Sequence, residues 1–188
     1  MGDKMKRYDA IKKIVSAIEN EFVVSNLGAP SRELFSLRDR SENFYMLGSM
    51  GLASSIAFGL AISQPSKKIW CIDGDGSMLM NLGSLSTIAN NHPNNLTLIV
   101  IDNGAYGSTG DQRTYTSYRT NLETIAKGAG FESIKIIDNE DDIIPSLKSL
   151  GNGCHFVKIK VSPGNALVEN ISLDPEDIKK RFMRSILS

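Results

Sequence analysis

Leu96-Thr97-Leu98-Ile99-Val100-Ile101, followed at once by Asp102-Asn103-Gly104-Ala105-Tyr106-Gly107, decides how this chain is read. A short, almost continuously apolar run fits a strand with both faces covered by helices, as in a parallel sheet. One step upstream the pattern repeats. Lys68 to Ile72 forms a second strand candidate and ends in Asp73-Gly74-Asp75-Gly76-Ser77. Between the two lie Leu82, Leu85, Ser86, Ile88 and Ala89, spaced as a helix that stops near Asn90-Asn91-His92-Pro93.

Further out, the alternation continues. Gly51 to Ile62 is small and apolar, with Ala53, Ala57, Gly59 and Ala61 thin enough to let a helix lie close to a sheet. Phe44 to Leu47 reads as a strand, Ser31 to Phe35 as a helix start, and Phe22-Val23-Val24 as a short buried strand stopped by Asn26, Gly28 and Pro30. Tyr8, Ile11, Ile14, Val15, Ile18 and Phe22 mark one face of an opening helix over 8–22. Downstream, the spacing predicts a helix over 122–128, a strand over 133–137, a helix over 141–150 and a strand over 155–161. Asp174 and Pro175 then open a terminal helix, as N-cap and first position. Residues 103–120 have no period and are long for a structureless connection, which marks a functional loop. The expected fold is α/β: three layers, α/β/α, around a mostly parallel sheet, in a single domain over 1–188.

Composition excludes more than it names. The 188 residues are 41% hydrophobic and 22% charged, with 21 basic residues against 21 acidic ones and no net charge. That balance lacks the footprint of a nucleic-acid binder, since no general field would release counterions from phosphates. No apolar run approaches membrane-spanning length, and Met1 to Lys6 lacks the hydrophobic stretch of a leader, so a cytoplasmic protein is expected. Cys71 and Cys154 sit in apolar runs and read as buried thiols. His92 and His155 have no partner at metal-ligand spacing and read as structural.

The chemistry is expected beyond the carboxyl ends of the strands, where open parallel sheets bind ligands. Gly74 and Gly76 allow close backbone approach, and Asp75 projects a carboxylate between them. A dinucleotide fingerprint would need glycine at 79, which is Leu79, and a P-loop would need a Gly-Lys pair downstream. An EF-hand would need glycine at 78 and glutamate at 84, occupied by Met78 and Ser84. All three fail. Asn103 lies 28 residues after Asp75, room for one helix and a return strand, so a right-handed crossover can place the two at the same end of neighbouring strands. A carboxylate and an amide oxygen suit a hard cation such as Mg²⁺, which keeps positions open for phosphate oxygens.

Gly74-Asp75-Gly76-Ser77 with Asn103-Gly104-Ala105-Tyr106-Gly107 resembles the diphosphate-binding motif of thiamine-diphosphate enzymes. The resemblance implies thiamine diphosphate and Mg²⁺ as cofactors, with Asp75, Asn103 and the Ala105 carbonyl as metal ligands. Asp102 departs from the asparagine of many members, but the ligand is the residue after it. Leu47-Gly48-Ser49-Met50-Gly51-Leu52-Ala53 is similar to the segment that grips the aminopyrimidine, with Met50 supporting the bent cofactor and the Gly48 carbonyl accepting from its amino group. The implied cofactor site thus comprises Gly48, Ser49, Met50, Gly74, Asp75, Gly76, Ser77, Asn103, Ala105 and Tyr106.

Over residues 8–186 the likeness is to 2-oxo acid decarboxylases of this family, and implies conversion of 3-sulfopyruvate to sulfoacetaldehyde and carbon dioxide in the coenzyme M biosynthesis of methanogenic archaea. A phosphonopyruvate-type decarboxylase, another thiamine enzyme subunit and a non-catalytic assembly subunit are the alternatives. Family members activate the cofactor with a glutamate from a separate pyrimidine-binding domain. This chain has no second domain, so the resemblance implies no catalytic residue here and a hetero-oligomer with a pyrimidine-binding alpha subunit. Ser108, Thr109, Gln112, Arg113 and Arg119 follow the metal motif and are the candidate contacts for the substrate's carboxylate and sulfonate.

Overall fold

The computed structural model describes residues 5–188; Met1 to Lys4, and with them most of the stretch read as lacking a leader, lie outside it. In chain order the first half holds α1 (Arg7–Ala17), β1 (Phe22–Ser25), α2 (Ala29–Leu37), β2 (Asn43–Tyr45), α3 (Ala53–Ser63), β3 (Ile69–Gly74), α4 (Asp75–Met80) and α5 (Gly83–Asn91). The second half holds β4 (Asn95–Asp102), β5 (Ala105–Tyr106), β6 (Gln112–Arg113), α6 (Leu122–Ala129), β7 (Ser133–Ile137), α7 (Ile143–Lys148), β8 (Gly153–Lys160) and α8 (Pro175–Leu187). Six strands form one parallel sheet in the order β2-β1-β3-β4-β8-β7, and β5 pairs with β6 in a separate antiparallel ribbon.

Side-chain alternation along the strands splits the core into two layers. Cys71, Leu96, Leu98, Val100 and Phe156 face α3, α5, α6 and the end of α8. Trp70, Ile72, Ile99, Ile101, Val157 and Ile159 face α1, α2 and α7. This is the expected α/β/α arrangement. Ala53, Ala57 and Ala61 are buried along one side of α3, so the small residues do let that helix lie on the sheet. Cys71 and Cys154 are free, buried thiols.

Several boundaries differ from the spacing, each for a local reason. α1 ends at Ala17 rather than continuing to Phe22, because the chain turns extended at Ile18 and sends Phe22 to the opposite face, against the Phe182 ring. α2 begins at Ala29, before Ser31: Gly28 takes a φ of 78° at its N-cap, and Pro30 is accommodated in the first turn, where its missing N–H costs nothing. The segment expected as one helix over 141–150 opens as a 3-10 turn at Glu140–Asp142 before α7. Asp174 stands at the N-cap of α8, but its side chain makes no capping bond. Residues 103–120 are not structureless; they form the β5–β6 ribbon and a 3-10 turn at Tyr115–Ser117.

Candidate cofactor site

The chain leaves β1 toward β2 on one side and β3 toward β4 on the other, so strand order reverses between β1 and β3. Such a reversal opens a crevice at the carboxyl ends of the strands. A pocket of about 210 Å³ lies there, lined by Asn26 and Leu27 after β1, by Gly74, Asp75, Gly76 and Ser77 after β3, and by Asn103, Ala105 and Tyr106 after β4. Arg7, Met50, Ser108 and Thr109 complete much of its wall.

The two residues paired from spacing meet. Asp75 is 2% exposed, and the Asn103 backbone N–H reaches its Oδ1 at 3.4 Å. Asn103 turns its own Oδ1 back to accept the Ala105 N–H at 3.1 Å, a short local turn that fixes the amide. Burial, aided by the charge of Asp102 and opposed by the Thr114 hydrogen bond, sets Asp75 above the ordinary carboxylate value. Among the described residues no group of three or more His, Cys, Asp and Glu could hold a metal. The available donors are instead a carboxylate, an amide oxygen and a backbone carbonyl, a hard oxygen set that fits Mg²⁺ and not a thiolate metal. A cation there would also offset the buried charge that raises Asp75.

The glycine at 76 is required by space. A Cβ on it would run into the Tyr106 ring and stand 3.2 Å from Cγ2 of Thr114. Ser77 uses its hydroxyl to accept the Gly51 N–H at 3.0 Å, and Asn81 donates to the Gly51 carbonyl at 3.0 Å. These bonds tie the 48–51 turn to α4. Ser49 holds a φ of 60° in that turn, a conformation that costs a residue with a Cβ and persists only where neighbours impose it. Met50, 36% exposed, enters the pocket, whereas Gly48 and Ser49 line an adjoining apolar groove with Phe44, Leu52 and Ile178.

The post-motif segment divides in the same way. Ser108 and Thr109 line the pocket, while Gln112 and Arg113 are exposed on β6 and Arg119 is exposed beyond it. Gln112 is engaged locally: Thr109 donates to its Oε1 at 2.8 Å, and its Nε2 donates to the Thr109 carbonyl at 2.8 Å. The Arg113 guanidinium lies 6.0 Å from the centre of the Tyr118 ring.

Three features escaped the sequence reading. Asn26 could have been found by the same strand-end rule, had β1 been known to adjoin β3. Arg7 carried no signal, since its place in the pocket depends on α1 packing against α2. Asp73 is fully buried; its Oδ1 accepts the Gly74 N–H at 2.9 Å, its Oδ2 has no partner among the described residues, and burial pushes it up to about 6.

Residues 31–161 match the family model described as thiamine pyrophosphate enzyme, C-terminal TPP binding domain. Over 184 residues the chain is 51% identical to sulfopyruvate decarboxylase subunit beta of Methanocaldococcus jannaschii, covering 96% of this chain and 97% of that one. The chain belongs to the thiamine pyrophosphate enzymes, in the group of sulfopyruvate decarboxylase beta subunits. A further relative, sulfopyruvate decarboxylase of Methanosarcina acetivorans, is 41% identical over 97% of this chain, which spans only 47% of that longer protein. Among solved structures, 2-oxoglutarate:ferredoxin oxidoreductase from Magnetococcus marinus superimposes with a TM-score of 0.70 over 98% of this chain and 68% of that one, at 18% identity, a likeness of fold. No helix among the described residues is long and apolar enough to cross a membrane.

Proposed function

We propose that the chain is a single diphosphate-binding domain, one subunit of a cytoplasmic decarboxylase that converts 3-sulfopyruvate to sulfoacetaldehyde and carbon dioxide, and that Asp75, Asn103 and the Ala105 carbonyl hold Mg²⁺ on the cofactor's diphosphate. The observation that carries the reading is the meeting of Asp75 and Asn103 in a pocket at the strand-order reversal. Thiamine diphosphate supplies the electron sink for decarboxylation when bound. Gly74 and Gly76 let the backbone approach the diphosphate, Ser77 steadies the 48–51 turn, and Met50 gives the cofactor an apolar support. Tyr106 completes the cofactor's surroundings, with Gly48 and Ser49 beside it in the turn that bears Met50, and Ser108 and Thr109 meet the substrate side, while Gln112 and Arg113 lie outside the pocket on β6.

The remaining requirement is a carboxylate for the pyrimidine ring, which we assign to a pyrimidine-binding alpha subunit. A single-chain relative about twice as long supports this division of labour. The test is carbon dioxide release from 3-sulfopyruvate by the chain reconstituted with that subunit, Mg²⁺ and thiamine diphosphate. Asp75→Ala should lower turnover and Mg²⁺ affinity by roughly a hundredfold or more, beyond what loss of an outer partner of a ligand costs. Preferred turnover of phosphonopyruvate would move the assignment to the sister activity. Unchanged turnover in Asp75→Ala would leave an assembly role instead.

A further inference from the structure

The segment after β6 folds back onto the metal motif. Thr114, 1% exposed, donates its hydroxyl to Oδ2 of Asp75, and its backbone N–H donates to the Gly104 carbonyl at 2.9 Å. Thr116 Oγ1 lies 3.0 Å from the same Asp75 oxygen, 2.8 Å from Oδ1 of Asp102 and 2.8 Å from Oγ1 of Thr114. Ser117 adds a hydroxyl bond of 2.6 Å to the Gly104 carbonyl. Apart from the Thr114–Thr116 contact, which lies within the segment, these attachments run to the stretches that would hold the cation. They engage one oxygen of Asp75 and leave Oδ1 on the side of Asn103.

Two carboxylates held this close repel each other in a buried setting, and a donor between them offsets part of that repulsion. A threonine hydroxyl has one proton and turns freely, so it can serve whichever carboxylate is less engaged, through a bond strengthened by the acceptor's charge. Thr116 occupies that place.

We infer that Thr116 is a positioning residue: set between Oδ2 of Asp75 and Oδ1 of Asp102, its hydroxyl fastens the 112–119 segment to the metal motif and keeps Oδ1 of Asp75 turned toward the cation. This rests on the reading of Asp75 as a metal ligand. It also keeps Arg113 near the site, because Arg113 directly precedes Thr114, which bonds Asp75 and Gly104, and lies three residues before Thr116.

Two readouts on the full chain test it. Trypsin can cut the segment after Arg113 and Arg119, while Lys127 and Lys148, in α6 and α7, report general unfolding. Thr116→Val keeps the shape and removes the proton; it should be cut at Arg113 and Arg119 roughly tenfold faster, the equivalent of one lost hydrogen bond to a charged group. Binding of Mn²⁺ in the presence of thiamine diphosphate, followed by the electron paramagnetic resonance of the free ion, should weaken by roughly the same factor. Thr116→Ser should restore both. Equal cutting of wild type and Thr116→Val, faster cutting spread evenly over Lys127 and Lys148, unchanged Mn²⁺ affinity in Thr116→Val, or failure of serine to rescue would each overturn the inference. Asp75→Asn binding Mn²⁺ as tightly as wild type would overturn the metal-ligand reading itself, and is thereby distinguished from failure of the fastening.

Discussion

A methyl group at position 76 has nowhere to go, since Tyr106 and Thr114 close over the glycine. Overpacking of this kind costs about 1–3 kcal/mol. The strain falls on the pocket wall and not on α4, whose helical backbone alanine favours. Gly76→Ala is therefore expected to weaken thiamine diphosphate binding by roughly five- to a hundredfold and to lower the melting temperature by a few degrees, the helix preference of alanine offsetting part of the overpacking, as titration and calorimetry would show. His155 supports a prediction of a different kind. Its Nε2 faces the Gly151 carbonyl at 3.1 Å and so carries the proton, leaving Nδ1 to accept from the Ser133 hydroxyl at 2.7 Å. Burial lowers its pKa from 6.5, with Lys135 and His92 adding to the effect against the Gly151 bond. The folded protein then binds fewer protons than the unfolded chain below pH 6.5, so this residue's contribution to stability declines as pH falls through that range. In urea unfolding from pH 7.5 to 5.5, the stability advantage of wild type over His155→Gln should shrink; a constant difference would refute it. Asp75 and Gly76 just after β3, and Asn103 just after β4, were legible because each follows directly on the carboxyl end of a strand. Asn26 and Arg7 were not, because their places depend on which strands and helices become neighbours.

Helices α1 and α2 are joined by a buried ion pair, Arg7 Nε to Glu33 Oε2 at 2.8 Å and Nη2 to Oε1 at 2.9 Å. The same Nη2 donates to Asn165 at 2.7 Å, and Asn165 donates to the Gly107 carbonyl at 2.7 Å, so the connection reaches the segment beside the pocket. A buried pair contributes little net stability against apolar replacements, yet breaking one side strands the other charge. Arg7→Met should cost about 3–5 kcal/mol in urea denaturation, and the double change Arg7→Met with Glu33→Leu should recover most of that loss. Equal loss in both variants would show that shape, and not the stranded carboxylate, sets the cost. At this scale the apolar periods located the long elements well, because burial on two faces leaves a pattern in the residues. The 103–120 segment left none. Its ribbon and turn are held by Thr114, Thr116 and Ser117 bonding to Gly104, Asp75 and Asp102, polar contacts across the fold that no local period encodes.

On the scale of the molecule, the carboxyl end of the sheet carries both the cofactor pocket and a rim of apolar side chains. Leu47 is 55% exposed, Leu52 44% and Met80 62%, and Met80 Cβ stands close to the 48–51 turn that bears Met50. Large apolar groups beside that pocket are costly in water, and on the proposed reading they form the surface that the partner subunit covers. On the proposed reading the pocket's Asp75 carboxylate serves a cation at the diphosphate end, whereas activation of the cofactor would need a carboxylate at the opposite, pyrimidine end. Both considerations point to the same partner and the same face. The chain alone, given Mg²⁺, thiamine diphosphate and 3-sulfopyruvate, should therefore release carbon dioxide at no more than the background rate, and activity should appear when the pyrimidine-binding subunit is added. Hydroxyl-radical footprinting of the active complex should show Leu47, Leu52 and Met80 protected together, with Ile62, which is exposed on α3, serving as the comparison. Robust turnover by the lone chain would refute the division of the site between two subunits. Activity restored with the rim still reactive would place the partner on another face and leave the apolar groups at the pocket mouth without an occupant.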